Sequence, residues 1–498
     1  MNVIRAHKVP GIGASYAEPL SGDYKARIGG TECPVYVCRV SAIPFNVWWK
    51  GRQRPVGQSE LASTVSFEAD GPVVLEVECA REFQRAVLRP LSKNVTPGVA
   101  GKTVKLALEK PGQYVLELDG EHFCLHIFFN PVKDFPEREG AAYRFGPGIH
   151  FPGLIRLKDG DSVYIDGGAV VYGSIFGDGV KNVRVFGYGV LDGSYEERLT
   201  AHCVEDYTKG NLKFYDSGNI RIEGVTLRNS AIWCVNFFGC WNVFADNIKV
   251  VGQWRYNTDG IDIVNSQNVA IRDSFVRSFD DTIVLKGIDK YDGIDVKNIR
   301  VENCVLWCGW GGTLEIGFET ACREYADILF ADCDLIHNTN DAMRIHHGDY
   351  AEVHGVTYRD IRVEFQKGGA PPLIQQSYEQ EYEPNGAVCA PGLFTLYNPR
   401  FRQEYAQFDN VEFNCADYDK KRGADGKVAT IRDVLFENIA VYLEGGAPKP
   451  PSLVQSTVPG TEFYGITFRN ITFNGKKARS AEELNMTIGA GTRDIKIC

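Results

Sequence analysis

The sequence is poor in the features of helical, membrane-spanning and nucleic-acid-binding proteins. Its 498 residues include only 3 Met, against 52 Gly, 28 Phe and 23 Tyr. Short runs rich in Val, Ile, Phe and Tyr end at Gly, Asn or Asp, which is typical of an all-β protein with many turns. No run approaches the length that crosses a bilayer. With 44% hydrophobic residues, a chain of this length can bury a large core.

Clusters of basic residues are also absent. The 54 Lys and Arg residues are outnumbered by 64 Asp and Glu residues, for a formal net charge of −10. This balance argues against nucleic acid or an anionic membrane as a partner. It is compatible with a neutral substrate, although local Lys and Arg side chains can still select an acidic one. The oligomeric state is not readable from these numbers.

The 14 cysteines show neither a CxxC motif nor a Cys/His metal spacing. Cys234, Cys304 and Cys333 lie in or beside apolar β-type runs, so we expect most cysteines to be reduced core residues. No metal and no cofactor are expected. Residues 1–5 begin no apolar leader, which predicts a cytoplasmic protein, or a secreted one if a leader has been removed.

The chain shows two different sequence patterns, one in its N-terminal part and one in the rest. From Val35 to Asn130, alternating runs recur at the spacing of a small β-sandwich. The predicted strands are Val35–Val40, Val73–Val77, Val104–Leu108, Tyr114–Leu118 and Phe123–Phe128. Residues 131–150, rich in Pro and Gly, read as a linker. We therefore predict an N-terminal sandwich with its linker over residues 1–145 and a second domain over 146–498.

The second sequence pattern is a repeat. The phrase Asn/Asp-aliphatic-x-aliphatic-x-Asn/Asp/Gly begins at residues 182, 219, 242, 268, 298, 327 and 433, and related copies that open with Gly begin at residues 355 and 465. A period of roughly 20–50 residues indicates a solenoid. The chain lacks the Leu-dense consensus of leucine-rich repeats and has no amphipathic helix between its short strands, so a parallel β-helix is predicted. Residues 367–427 interrupt the repeat and are predicted to form a long loop over the cleft.

A second set of aligned positions in the repeat contains the candidate catalytic residues. Four segments align, starting at Asp259, Asp281, Gly312 and Asp341. Because side chains alternate along a strand and successive coils stack, Asp259 and Asp281 are predicted to lie one coil apart on one face, with Asp280 beside them. The next outward row is Asp262, Val284, Glu315 and Arg344, followed by Val264, Lys286, Gly317 and His346.

Three carboxylates on adjacent coils are electrostatically costly. Like charges raise the pKa of at least one group and keep it protonated near neutral pH. Glycoside hydrolysis with inversion needs one protonated acid and one carboxylate base, about 6.5–9.5 Å apart. A single Asp in a solenoid is often a turn residue, but that interpretation explains the Asp280-Asp281 pair with Asp259 poorly.

With Asn257-Thr258-Asp259-Gly260, then Asp280-Asp281, then Arg344-Ile345-His346, the chain resembles glycoside hydrolase family 28, the polygalacturonases. The resemblance covers roughly residues 145–475. It implies an all-β, right-handed parallel β-helix of the pectin-lyase-like kind and hydrolysis with inversion. It also implies that Asp280 is the general acid, while Asp259 and Asp281 position and deprotonate the water. The predicted substrate contacts are Asn257, Lys286, Trp310, Glu315, Arg344 and His346.

Two departures bear on the substrate. Gly309-Trp310-Gly311 replaces the Gly-His-Gly of family 28, and His346 replaces the lysine of its Arg-Ile-Lys motif. Arg344 can still bind a carboxylate bidentately, but Glu315 is predicted to repel galacturonate. The N-terminal sandwich and the Gly-Trp pair also resemble family 49, the dextranases and isopullulanases, which act on neutral glucans. Trp310, with Trp233 and Trp254, is a candidate for stacking on sugar rings.

The sequence leaves other functions open. A β-helix polysaccharide lyase would release a product absorbing in the ultraviolet. A non-catalytic glycan-binding solenoid would be indifferent to Asp280→Asn. We expect a carbohydrate to be the partner in every case.

Overall fold

The computed structural model describes residues 3–11, 17–42, 56, 59–198, 209–366, 392–398, 430–458 and 460–498, and the backbone of 373–374 and 383–384. Within these ranges the chain is built of strands and of three short 3-10 helices at Leu91–Lys93, Pro136–Gly140 and Asp289–Tyr291. No helix in the described part of the chain is long and apolar enough to cross a membrane.

The N-terminal strands form two sheets that pack face to face. The strands are Ile4–Ala6, Tyr24–Ile28, Thr31–Cys33, Val35–Ser41, Ser59–Ala69, Val73–Cys79, Ala86–Arg89, Gly98–Ala100, Thr103–Leu108, Gly112–Leu118 and Leu125–Pro131. One sheet has six strands and the other five. Val65 and Ile127 from the first sheet and Leu75 and Leu106 from the second are fully buried in one core. This is the predicted β-sandwich.

Of the remaining strands, Leu373–Ile374 and Glu383–Pro384 pair antiparallel as a separate two-stranded sheet. The other 31 strands form one sheet that coils around itself in parallel pairs, except that Lys476–Lys477 pairs antiparallel with Phe463–Phe473. They are Tyr143–Phe145, Gly148–Arg156, Ser162–Ile165, Ala169–Asp178, Lys181–Gly187, Val190–Asp192, Leu212–Tyr215, Gly218–Glu223, Thr226–Arg228, Val235–Phe238, Trp241–Asp246, Lys249–Val250, Ile261–Val264, Gln267–Arg272, Phe275–Ser278, Ile283–Gly287, Val296–Glu302, Val305–Cys308, Leu314–Thr320, Glu324–Ala331, Asp334–Asn338, Met343–His347, Glu352–Arg359, Arg362–Gln366, Phe394–Asn398, Thr430–Glu444, Ser452–Ser456, Phe463–Phe473, Lys476–Lys477, Met486–Ile488 and Thr492–Ile497. The predicted parallel β-helix is confirmed.

The repeated Asn and Asp residues turn the chain between strands. Asn219, Asn242, Asn268 and Asn298 all adopt positive φ, between 53° and 56°. Asn tolerates this left-handed conformation better than most residues. Each side chain also donates to the equivalent Asn of the preceding coil, for example from Asn242 Nδ2 to Asn219 Oδ1 at 3.0 Å. The turns therefore stack into an asparagine ladder on the surface.

Apolar side chains fill the interior of the coil. Phe330, Tyr358, Phe436 and Phe468 stack with ring centroids 4.8, 4.8 and 4.9 Å apart, the spacing of neighbouring strands. Ten of the eleven described cysteines are buried and none is paired in a disulfide, as the sequence predicts for core thiols.

The sandwich packs against the side of the β-helix. Phe128 of the sandwich and Phe275 and Trp307 of the β-helix share one buried cluster. Arg89 of the sandwich pairs at 2.7 Å with Glu117 on its own sheet and also with Glu364 of the β-helix. Apolar and ionic contacts thus hold the two parts together.

Two segments differ from the predicted organisation. Tyr143–Phe145 already pairs with Ser162–Ile165, so strands of the coil begin inside the predicted linker. Phe394–Asn398 pairs with Met343–His347, so the coil resumes inside the predicted 367–427 insertion. Most of that insertion lies outside the described residues, and its placement over the cleft stays a prediction, as does the domain boundary at 145/146.

Candidate active site

The predicted row of acidic residues is observed along one edge of the coil. The amide of Gly260 donates to Asp281 O at 2.8 Å, and that of Thr282 donates to Gly312 O at 2.8 Å. Thr313 donates in turn to Asp341 O at 3.0 Å. Asp259, Asp281 and Asp341 therefore occupy equivalent positions on their coils.

The two outward rows differ in regularity. Asp262, Val284, Glu315 and Arg344 pair in succession, as predicted. In the next row Val264 pairs with Lys286, but the register shifts after Leu285, so Lys286 does not pair with Gly317 as predicted. A bulge of this kind re-aims local side chains.

Lys286 lies at the centre of the acidic cluster. Its Nζ is 2.8 Å from Asp259 Oδ2, 3.1 Å from Asp262 Oδ1 and 3.6 Å from Asp281 Oδ2. Its other side faces the ring of Trp233, 3.8 Å from the centroid. The sequence predicted that Lys286 would bind a substrate hydroxyl or carboxylate. In the structure Lys286 is 4% exposed and its ammonium group contacts the protein's own carboxylates, and its contact with substrate stays a prediction.

The three aspartates have unequal proton affinities. Burial raises the pKa of Asp280 well above its usual range, and the negative Asp259 and Asp281 add to the effect. Burial also opposes ionisation of Asp281, but Lys286 and Arg344 outweigh it and lower the pKa of this group. Burial raises the pKa of Asp259 to about 7, with Lys286 opposing. The two opposite shifts favour protonation of Asp280 and ionisation of Asp281.

The backbone makes room for these carboxyl groups. Gly311 and Gly312 pass so close that a Cβ at Gly311 would clash with Asp281 and Asp280, and one at Gly312 with Glu315. The amide of Gly312 also donates to Asp281 Oδ1 at 2.8 Å. Asp281 is therefore fixed by main chain as well as by charge.

The buried Glu315 forms an ion pair with the partly exposed Arg344. Arg344 Nη2 lies 2.6 Å from Glu315 Oε2, and the Glu315 side chain has no solvent exposure. Burial raises the pKa of Glu315 well above its usual range, with Arg344 opposing. The carboxyl group of Glu315 is thus buried and paired with Arg344, and the expectation that it repels a uronate stays a prediction.

Asn257 is oriented by a residue that the sequence did not single out. Arg198 donates to Tyr256 O and to Asn257 Oδ1, both at 2.8 Å. The amide of Asn257 then faces Asp280 Oδ2 at 3.5 Å. Arg198 lies in a connection of an earlier coil, outside every repeat phrase, so no sequence signal marked it.

The predicted sugar-stacking residues are placed differently from one another. Trp310 stacks on Phe279, with centroids 5.4 Å apart, and is partly exposed. Trp233 is only 6% exposed and lies against Lys286, which leaves little of its ring for a sugar. Trp254 lines a cavity of about 270 Å³ between the sandwich and the β-helix.

His346 and His347 point in opposite directions, as predicted for adjacent strand residues. His346 is partly exposed and packs edge-on against Phe318 at 4.9 Å. Burial lowers its pKa well below the usual range, so the ring is neutral. His347 faces inward and donates from Nε2 to Ala351 O at 2.6 Å. Within the described ranges, no group of three or more His, Cys, Asp or Glu residues is arranged to hold a metal ion.

A parallel β-helix with buried carboxylates on one edge places the chain in the pectin-lyase-like class of solenoids. Residues 149–417 match the family described as "Glycosyl hydrolases family 28", and the chain belongs to that family. It is 24% identical over 303 residues to "Probable exopolygalacturonase B" of Aspergillus terreus and 28% identical over 215 residues to "Polygalacturonase" of Gossypium barbadense. These matches cover 54% and 40% of this chain, and 63% and 49% of the relatives.

The fold also resembles a solved structure outside that family. "Dex49A from Penicillium minioluteum" superposes with a TM-score of 0.61 over 99% of this chain and 96% of that one, at 13% identity. At this identity the likeness concerns the fold alone. It supports the β-helical fold described above.

Proposed function

We propose that the protein is an inverting glycoside hydrolase that cleaves a poly- or oligosaccharide at Asp259, Asp280 and Asp281. The observation that carries the proposal is the placement of Asp259, Asp280 and Asp281 together on two neighbouring coils around Lys286, where burial raises the pKa of Asp280 and the nearby Lys286 and Arg344 lower that of Asp281. Inversion requires this pairing of an acid with a base. Membership of family 28 and the names of the relatives support the same reaction.

In this mechanism the carboxyl group of Asp280 donates its proton to the glycosidic oxygen as the bond from that oxygen to the anomeric carbon breaks. A water held by Asp259 and Asp281 attacks the anomeric carbon from the opposite face. The Asp281 carboxylate accepts the proton of that water, and protons then re-equilibrate with solvent. Lys286 acts as a positioning residue because it contacts both Asp259 and Asp281, lowers the pKa of Asp281 and opposes the rise in the pKa of Asp259.

The family and the relatives favour a pectin-derived, polygalacturonase-like substrate. A second candidate is a neutral α-glucan, as in the family-49 resemblance. A specific observation favours it, because Arg344, the candidate clamp for a uronate, already contacts Glu315, Asp281 and Asp341.

The test is a screen of pectic and α-glucan oligosaccharides with the product anomers followed by proton NMR. We expect the first product to have inverted configuration. A retained anomer would overturn the mechanism. A product absorbing in the ultraviolet would indicate a lyase, and the absence of any cleavage would favour a glycan-binding protein.

A further inference from the structure

The guanidinium group of Arg344 is occupied by the protein's own carboxyl groups. Nη2 lies 2.6 Å from Glu315 Oε2 and 3.5 Å from Asp281 Oδ1, and Nη1 lies 3.5 Å from Asp341 Oδ2. The remaining nitrogen, Nε, is buried and has no hydrogen-bond partner. Arginine recognises a carboxylate through a fork of two parallel N–H groups. Nη1 and Nη2 of Arg344 therefore already face acidic groups and Nε lies in the protein interior, while 12% of the side chain is exposed.

The surrounding coils hold this arrangement in place. Asp341 Oδ1 accepts a hydrogen bond from Thr395 Oγ1 of the following coil at 2.7 Å. A Cβ at Gly392 would clash with the Asp341 carboxylate, and one at Gly312 with that of Glu315. The absence of a Cβ at these two glycines therefore leaves the space in which the Glu315 and Asp341 side chains contact Arg344.

The charge balance of the cluster also indicates that no cation is available for a further carboxylate. In the part of the chain that the structure describes, two cations, Lys286 and Arg344, contact five carboxyl groups: Asp259, Asp262, Asp281, Glu315 and Asp341. Even if burial keeps Glu315 protonated, no positive charge is left over. A further carboxylate would lose its hydration without gaining a cation. Sugar hydroxyls, by contrast, can donate hydrogen bonds to ionised carboxylates.

We propose that the sugar ring bound on the Arg344 side of the catalytic aspartates is uncharged, as a neutral or esterified sugar. This inference rests on the proposed function and narrows its substrate. The proposal concerns that ring alone. Another cation, Arg198, donates to Asn257 beside Asp280 and lies near a different part of the site. A carboxylate on a ring near Arg198 is compatible with the proposal.

The experiment compares substrates that differ only in charge. Oligogalacturonides are offered to the full-length protein as free acids and as methyl esters, alongside neutral α-glucan oligosaccharides. We expect kcat/KM for the ester or a neutral glycan to exceed that for the free acid by about tenfold or more. A free acid cleaved as fast as its ester overturns the proposal. If no glycan of any kind is cleaved, it is the proposed function that fails.

A gain-of-function variant tests the cause. Glu315→Gln combined with Asp341→Asn removes two carboxyl groups from Arg344 and should raise the ratio of free-acid to ester turnover about tenfold. Asp341→Asn alone, at a side chain that is 15% exposed, is the variant less demanding on folding and should give a smaller rise. The matched control is Asp327→Asn, which removes an exposed partner of Arg300 at a turn and should leave the ratio unchanged.

Binding gives a second readout that needs no turnover. Calorimetry with trigalacturonate should show tighter binding to the double variant than to the parent protein, by about tenfold in Kd. Folded variants that gain neither affinity nor relative turnover would show that Glu315 and Asp341 do not exclude the uronate.

Discussion

Two rows of short polar side chains run along the same coils and have opposite environments. The asparagine ladder at Asn219, Asn242, Asn268 and Asn298 is exposed, and its amides bond to one another. In the row at Asp259 and Asp281 the carboxyl groups are buried, and Asp259 Oδ1 has no hydrogen-bond partner. The first row stabilises the turns of the backbone between strands. The second row crowds buried carboxyl groups together, which opposes folding. Such an arrangement is typical of a functional site.

The largest contrast between the rows should come from Asp280→Asn, which keeps the shape of the side chain and removes its acidic proton. We expect kcat to fall by about 10²–10⁴-fold, since general acid catalysis contributes that much. Steady-state turnover of the best substrate in the screen measures the loss. Asp327→Asn in a turn row is the matched control and should retain full activity. An Asp280→Asn protein that turns over like the parent would remove Asp280 from the mechanism.

Lys286→Met should have the next largest effect, because it leaves buried carboxylates without their cation. We expect a fall in kcat of about 10²-fold and an acid limb of the pH profile displaced to higher pH, since Lys286 lowers the pKa values of Asp259 and Asp281. A role in packing alone would reduce stability without moving this limb. Thermal unfolding of the same variant separates the two outcomes.

The pH dependence of kcat/KM in the parent protein should be bell-shaped. Asp259 must be ionised, so activity is lost as pH falls through its pKa of about 7. Asp280 must be protonated, so activity is lost as pH rises through its pKa, which is raised well above the usual range. The limbs report the coupled cluster rather than isolated groups. An optimum far on the acid side, near the ordinary pKa of a carboxyl group, would contradict this assignment.

The smallest effect should come from the ladder itself. Asn242→Ala loses ladder hydrogen bonds and places a Cβ-bearing residue without a compensating amide at φ 53°, which costs about 1–2 kcal/mol of stability. Asn242→Gly tolerates that φ and should cost less. Denaturant unfolding compares the two variants, and neither should change kcat. A loss of turnover in either would mean that the turn row and the acidic row are coupled.

Much of the architecture was predictable because a β-helix repeats. The phrase beginning at Asn242 or Asn298 marks each turn, so the coil and the stacking of Asp259 with Asp281 follow from spacing along the chain. The stacking of coils also placed Glu315 beside Arg344, and the alternation of strand side chains separated His346 from His347. These features depend on local periodicity, which the chain carries in every copy.

By itself, the sequence determined the solenoid, its preceding sandwich and the clustering of three aspartates on one edge. Only the tertiary structure decided which charges remain available to a substrate. The register shift after Leu285, at the strand that carries Lys286, and the glycines at 312 and 392 set the contacts of Lys286 and Arg344 with their acidic neighbours. Arg198 reaches Asn257 from an earlier coil. Such pairings depend on bulges and close backbone approach, which break the repeat and leave no periodic trace in the sequence.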